Sequence, residues 1–379
     1  MKVSKIPSYL SVYEVVLMPI NVTKSQLPDR ERFHAYVDRI LDSGWLTNRG
    51  QLVQELEVRL AEYLDVRNVV LTSNGTISLQ IAYRLFGLQE EVITTPFTFI
   101  ATASSLAWEG LDPVFADIDG KSFNIDINDV EEKITSKTSA IVPVHVFGNP
   151  CDVEAIDALA KRHDLKVIYD AAHAFGVKYK QESILNWGDI SVLSFHATKL
   201  FHTIEGGALI INDDELCAKV RDMINFGIVG PESIETLGIN AKMNEFQAAM
   251  GLCILDDIDA AISRREQLVA LYDSFLSDKI TKQFWMKDAT LNHGYYPVVF
   301  ENESITKRVQ NALNAEDIYP RRYFYPSLDT LSFFSANQCA PISREIASRI
   351  LCLPLYTELS DSECKGIAEI VLNALEEES

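Results

Sequence analysis

The stretch Gly188–Ala208, GDISVLSFHATKLFHTIEGGA, holds a single lysine between two apolar runs. Ile190–Phe195 reads as a short buried strand, Lys199 falls in the turn after it, and Glu205-Gly206-Gly207 leads into a second apolar run, Ala208–Ile211. Desolvation beside such strands lowers a lysine's pKa and frees its amine as a nucleophile, which suits a Schiff base with an aldehyde cofactor. The neighbouring glycines let backbone approach a flat ligand closely. Taken alone, the stretch also fits a solvated lysine in a strand loop.

Other groups of the right chemistry recur at strand ends. Asn68–Thr72 reads as a strand, and Ser73-Asn74-Gly75-Thr76 turns into a helix running to about Leu85. Free N–H groups and the positive end of a helix dipole at that turn suit a phosphate, although the same residues cap any helix. A strand over Glu91–Thr95 is followed by Phe99, which could stack on a ring or belong to the core. Leu165–Tyr169 ends in Asp170, a carboxylate that could hold a pyridine nitrogen protonated or cap a helix after it. Ser194 could donate to a phosphate or to backbone.

Strands at Pro113–Ile118 and Ala140–Val144 alternate with helices at Ile100–Trp108 and Val153–His163. Short apolar strands alternating with helices predict an α/β fold with a mostly parallel sheet covered on both faces, whose ligands sit beyond the carboxyl ends of the strands. Ser73, Phe99, Asp170 and Lys199 all fall at or just after such ends, which predicts one site. Upstream, Leu27–Leu41 and Gln51–Leu64 carry helical periodicity, with Ser43-Gly44 ending the first and the loop Trp45–Gly50 between them. A long helix over 257–277 leaves this unit. After it come a strand (Gly294–Phe300), a helix (Ser304–Ala315), the segment Arg321-Arg322-Tyr323-Phe324-Tyr325-Pro326 and two more helices. The expected division is an N-terminal extension (1–17), a large domain (18–255) and a smaller C-terminal α/β domain (256–379).

Composition narrows the partners. A net charge of −20 opposes non-specific nucleic-acid binding, so an anionic substrate must be met by a local cationic site. The six cysteines show no CxxC and no metal-ligand spacing, which points to reduced thiols in a cytosol and no metal. No apolar run is long enough to span a membrane, and Glu14 interrupts Leu10–Ile20 where a signal peptide would sit.

The ordered set SNGT, PFTFIATA, YDAAHAFG, SFHATK with EGGA, and LGINAKMNEFQAAMG resembles the DegT/DnrJ/EryC1/StrS aminotransferases over roughly residues 18–377. The resemblance implies a fold-type-I pyridoxal phosphate enzyme acting on nucleotide-linked keto-sugars. By position it implies that Lys199 carries the cofactor and shuttles protons, and that Asp170 pairs with the pyridine nitrogen. His173 would neighbour the ring hydroxyl, Phe99 would stack on the ring, and Gly75, Thr76 and Ser194 would bind the phosphate. Asn240 and Lys242 would reach a partner subunit's phosphate, making a homodimer with shared sites. Trp45, Arg49, Arg321 and Tyr323 would lie near the sugar nucleotide, with Arg322 a further candidate. Two departures stand out: Tyr169 replaces a frequent Glu, and Asn74 replaces a commoner Ser or Gly.

The FHxxK form around the lysine is similar to enzymes aminating C4 of 4-keto-6-deoxy sugars. The implied reaction takes an amino group from L-glutamate to dTDP-4-keto-6-deoxyglucose, for a bacterial surface glycan such as the O-antigen of lipopolysaccharide. Rival readings are a 3-keto sugar aminotransferase, in which a YPGK form is usual, and a non-catalytic cofactor-binding regulator. A sugar 3-dehydratase would carry histidine where this chain has Lys199.

Overall fold

A computed structural model describes residues 19–334 and 338–376, so the expected extension over 1–17 lies outside the described residues. At its centre is a seven-stranded sheet in the order Val69–Thr72, Gly207–Ile210, Ile190–Ser194, Lys166–Asp170, Thr138–Val142, Glu91–Thr94, Asp112–Phe115. Gly207–Ile210 runs antiparallel to both neighbours, and every other pairing in the sheet is parallel.

The strands are apolar because both faces are covered. Side chains alternate across a strand, so Leu71, Ile93, Ile141, Val167 and Leu193 join the core on one face. Val70, Val92, Val142, Ile168 and Val192 join the core on the other. Helix Gln51–Leu64 buries Leu52, Leu56, Leu60 and Leu64 in the first of these cores. Its N-terminus follows Gly50, which offers no side-chain cap; the buried Glu245 carboxylate instead accepts from Leu52 N–H at 2.8 Å and Val53 N–H at 3.1 Å. Tyr63 of the same helix is half-buried, stacked on Phe175 and donating its hydroxyl to Asp259 at 2.8 Å.

Helix Glu245–Asp256 precedes the long helix Ile258–Leu276, and a third core gathers Leu268, Tyr272, Val298, Leu313, Leu351 and Ile367. Strand Pro297–Val299 pairs antiparallel with Ile350–Cys352, which the sequence reading did not include. Ile20–Asn21 pairs with Ile318–Tyr319, so the first described strand lies on the C-terminal elements rather than on the main sheet. A fourth core, with Phe97, Val144, Phe147, Val299, Phe324 and Cys352, joins the strand ends of the sheet to the C-terminal elements. The cavity described next opens at that seam.

Candidate active site

Strand Ile190–Ser194 ends where Phe195 N–H donates to Gly206 O at 2.8 Å and Thr203 N–H returns to Phe195 O at 2.9 Å. Lys199 sits in the loop so closed, its own N–H bonded to His196 O at 2.8 Å. Burial brings its pKa down to about 8, against the opposing pull of the Asp170 charge. The glycines nearby answer to a different constraint from the one expected. A Cβ on Gly207 would lie 2.6 Å from the backbone of Asn74 and Gly75, and one on Gly206 would lie 1.9 Å from Thr203 Oγ1. The close approach is made to the chain itself, and it fixes the turn at Asn74-Gly75 against the antiparallel strand.

No helix follows Asp170, which removes the capping alternative. One carboxylate oxygen accepts from Ala172 N–H at 3.1 Å and the other from Thr102 Oγ1 at 2.7 Å, with the Thr98 hydroxyl 2.8 Å behind. Burial raises the Asp170 pKa, with these hydrogen bonds and Lys199 opposing. Such a carboxylate, kept out of water, gains most from a cationic ring nitrogen placed against it. His173 Nδ1 accepts from Phe147 N–H at 3.2 Å, which puts the proton of the neutral ring on Nε2. Burial and then the Lys199 charge hold its pKa well down. Its ring lies parallel to Phe147 and Phe324, at interplanar angles of 3° and 9°.

Asn74 caps helix Gly75–Leu85, its Oδ1 accepting from Ile77 N–H at 2.9 Å, while Asn74 O takes Ser78 N–H. The N–H groups of Gly75 and Thr76 are left without an acceptor among the described residues, at the positive end of the helix. The Asn74 side chain is thus spent on the cap, which explains how the turn tolerates it. A Cβ on Gly75 would come within 3.0 Å of Ser194 Cβ, so this turn and the strand-end serine form one cradle.

These groups line one cavity of about 280 Å³ that contains Gly75, Thr76, Phe99, Asp170, His173, Ser194, Lys199, Arg321 and Tyr323. Phe99 stands at its rim, 51% exposed. Tyr295 and Thr98, neither singled out from sequence, also line it, as do His196 of the FHxxK form and Glu205 of the EGGA run. Tyr295 comes from the strand approach Leu291–Tyr296, where no strand-end pattern marks it; Thr102, behind Asp170, hides in a small-residue helix.

Trp45, Arg49, Asn240 and Lys242 do not line this cavity. Asn240 is exposed and Lys242 half-buried on either side of the buried Ala241, so the two share one face; Lys242 Nζ donates to Asn225 Oδ1 at 2.9 Å. Arg49 is drawn to Glu57 at 2.9 Å, and Arg221 also pairs with that carboxylate at 2.9 Å. The Glu57 side chain is only 6% exposed, so it needs both cations. Glu57→Ala should therefore lower the unfolding free energy by about 2 kcal/mol, less than a fully buried pair because Arg49 stays half in water. Urea midpoints at unchanged slope check this. Arg322 is likewise committed: it bonds Glu303 at 3.0 Å and Ser348 O at 2.8 Å and lies over the Tyr325 ring. Arg321 stacks over Tyr323, 5.0 Å from the ring centroid, and no ion pair joins it to a carboxylate among the described residues.

A desolvated lysine, a buried carboxylate and a helix N-terminus are thus gathered at the strand ends of a mostly parallel α/β sheet, where such folds bind their ligands. The DegT/DnrJ/EryC1/StrS aminotransferase family model matches residues 28–372, and the chain belongs to that family. It is 42% identical over 366 residues to a dTDP-4-amino-4,6-dideoxy-D-glucose transaminase of Shigella dysenteriae, covering 95% of this chain and 99% of that one. A transaminase of the same name from Escherichia coli is 37% identical, with 94% and 99% covered. The crystal structure of DesI in the presence of its TDP-sugar product superposes with a TM-score of 0.89 at 37% identity, covering 95% of this chain and 94% of that one.

Proposed function

We propose that this aminotransferase uses pyridoxal phosphate to move an amino group from L-glutamate to C4 of a nucleotide-linked 4-keto-6-deoxy sugar. The substrate is dTDP-4-keto-6-deoxyglucose, and the product dTDP-4-amino-4,6-dideoxyglucose feeds a surface glycan such as an O-antigen. The observation that carries the reading is the Lys199 amine, desolvated to a pKa of about 8 and facing the buried Asp170 in one cavity. The names of the Shigella and Escherichia relatives support the sugar.

The donor set fits the cofactor. Gly75 and Thr76 N–H groups with the Ser194 hydroxyl would take its phosphate, Asp170 would face its ring nitrogen, and His173 and Phe99 would flank the ring. Bound there, pyridoxal phosphate supplies an electron sink through which an amino group can change owner. The residues do the rest: Asp170 keeps a proton on the ring nitrogen, and Lys199 Nζ accepts and returns a proton at the substrate carbon. Arg321 and Tyr323 bind the substrate from the C-terminal elements. The division of the chain near residue 255 belongs to the same proposal, supported by the separate apolar core of the C-terminal elements. Six unpaired cysteines, five of them buried, support a cytosolic enzyme.

The active form is a homodimer. Supporting this, Phe226, Ile228, Ile234 and Leu237 expose apolar surface around the hairpin that leads to Asn240 and Lys242. Asn240 and Lys242 would reach the partner's phosphate, while Trp45 and Arg49 would lie near the sugar nucleotide. Replacing Asn240 and Lys242 together by Ala should weaken cofactor retention without unfolding the subunit. Mixing that variant with Lys199→Ala should restore activity, because one site of each hybrid then has both an intact lysine and an intact reaching segment. No recovery after verified subunit exchange would mean that the segment serves its own chain.

The function itself is tested by incubation with glutamate and a panel of nucleotide-linked keto-sugars, with NMR of the products. Amination at C4 of the dTDP sugar is expected. An amine at C3, or no transfer to any nucleotide sugar, would overturn the substrate assignment.

A further inference from the structure

The reactive amine has a neighbour that belongs to none of the motifs. Lys199 Nζ lies 3.2 Å from the Tyr295 hydroxyl and 5.9 Å from the centroid of its ring. Tyr295 comes from the C-terminal elements, and its place is fixed independently of the lysine. Gly294 N–H donates to Asn292 Oδ1 at 3.1 Å, and Asn292 Nδ2 donates to His173 O at 2.8 Å and Phe175 O at 3.0 Å. From the other side, the buried Arg265 guanidinium donates to Gly294 O at 3.3 Å and Leu355 O at 3.0 Å. The ring stands edge-on to Tyr323, with centroids 5.9 Å apart, and tilted against His173 at 4.5 Å. Packing, not the lysine, sets where the hydroxyl points.

We propose that Tyr295 is a further catalytic group of this site, its hydroxyl holding Lys199 Nζ in place in both of the amine's protonation states. A phenol can accept from an ammonium and, by turning its O–H, donate to a free amine. Burial pushes its own ionisation further up, so it stays neutral while the lysine titrates. A carboxylate at the same spot would hold only the ammonium and would raise the lysine's pKa. A neutral hydroxyl confines the flexible four-carbon stem and leaves the proton balance where burial sets it. That is what the proton shuttle of Lys199 requires, and the inference rests on that reading of Lys199. The other charged or titratable groups lining the cavity are Asp170, His173, His196, Glu205, Arg321 and Tyr323. None of them is hydrogen-bonded to Lys199 Nζ, so among the described residues the phenol alone holds it.

The test uses Tyr295→Phe in the full-length enzyme beside wild type and Lys199→Ala. With cofactor loaded, kcat should fall by about 10- to 100-fold while KM for both substrates stays within about threefold, because the lost contact is to the proton carrier and not to a substrate. With cofactor removed, the rate at which the chain captures added pyridoxal phosphate should keep its pH midpoint within about half a unit of wild type while its plateau falls. An unchanged kcat would overturn the proposal. So would a midpoint lower by about a unit or more, since Tyr295 would then be a clamp for the ammonium only. Turnover surviving in Lys199→Ala would instead overturn the reading of the lysine, so the two failures are distinguishable.

Discussion

Lys199→Ala is expected to abolish transamination while leaving a folded protein that still binds pyridoxamine phosphate. On the proposed role of Lys199 the substitution would remove nucleophile and proton carrier together, so a loss of about 10⁴-fold or more in kcat is expected. The cradle of Gly75, Thr76 and Ser194 and the Asp170 carboxylate remain, so equilibrium binding of the amine form of the cofactor should weaken little. Retained transamination would sink the assignment. The wild-type lysine makes a companion test in pH. Its ammonium is the unreactive form, and burial lowers its pKa to about 8. Capture of pyridoxal phosphate by the cofactor-free chain should therefore rise about tenfold per pH unit below that value and level off above it. A rise continuing to the ordinary lysine range near 10 would mean that the amine is more hydrated than its surroundings imply.

Much of this site is legible in the sequence because strand ends are local features. Asp170 and Lys199 each follow a short apolar run and Ser194 closes one, and a parallel sheet puts such ends on one edge; these meet because Lys166–Asp170 and Ile190–Ser194 are neighbouring strands. The apolar runs themselves were readable since both sheet faces are covered, as Val70 and Leu71 show by entering opposite cores. What the sequence hid depends on contacts distant in the chain. Tyr295 meets Lys199 across 96 positions, and nothing in GYYPVVF distinguishes it from the core Tyr296. Thr102 orients Asp170 from a helix whose small residues read as packing. Ile350–Cys352 is too short to announce itself and is recognisable only by its partner Pro297–Val299. Among the three candidate arginines, residue type could not separate a cation neutralised by the fold from one left facing a cavity. Glu57 and Glu303, which engage Arg49 and Arg322 across 8 and 19 positions, carry no marker that sets them apart from the other carboxylates.

That separation yields the second large expectation. Arg321→Ala should raise KM for the sugar nucleotide by about thirtyfold, equivalent to about 2 kcal/mol for a charge-assisted contact to a diphosphate. The protein carries a net charge of −20, so its long-range field opposes a nucleotide diphosphate, and binding must come from a cation within hydrogen-bonding reach. Arg321 lines the cavity, rests on Tyr323 and has no carboxylate to neutralise it among the described residues. Arg322→Ala, by contrast, should cost stability through the lost bonds to Glu303 and Ser348 O and leave KM for the sugar nucleotide within about twofold. The glutamate half-reaction separates the remaining possibilities, because glutamate carries carboxylates but no diphosphate. If Arg321→Ala raises KM for glutamate and spares the sugar nucleotide, the arginine receives the donor's carboxylate and the diphosphate lies elsewhere. If it raises KM for the sugar nucleotide alone, and if added salt erodes wild-type affinity more than that of the variant, the unneutralised guanidinium at the cavity mouth is what admits an anion to this acidic protein.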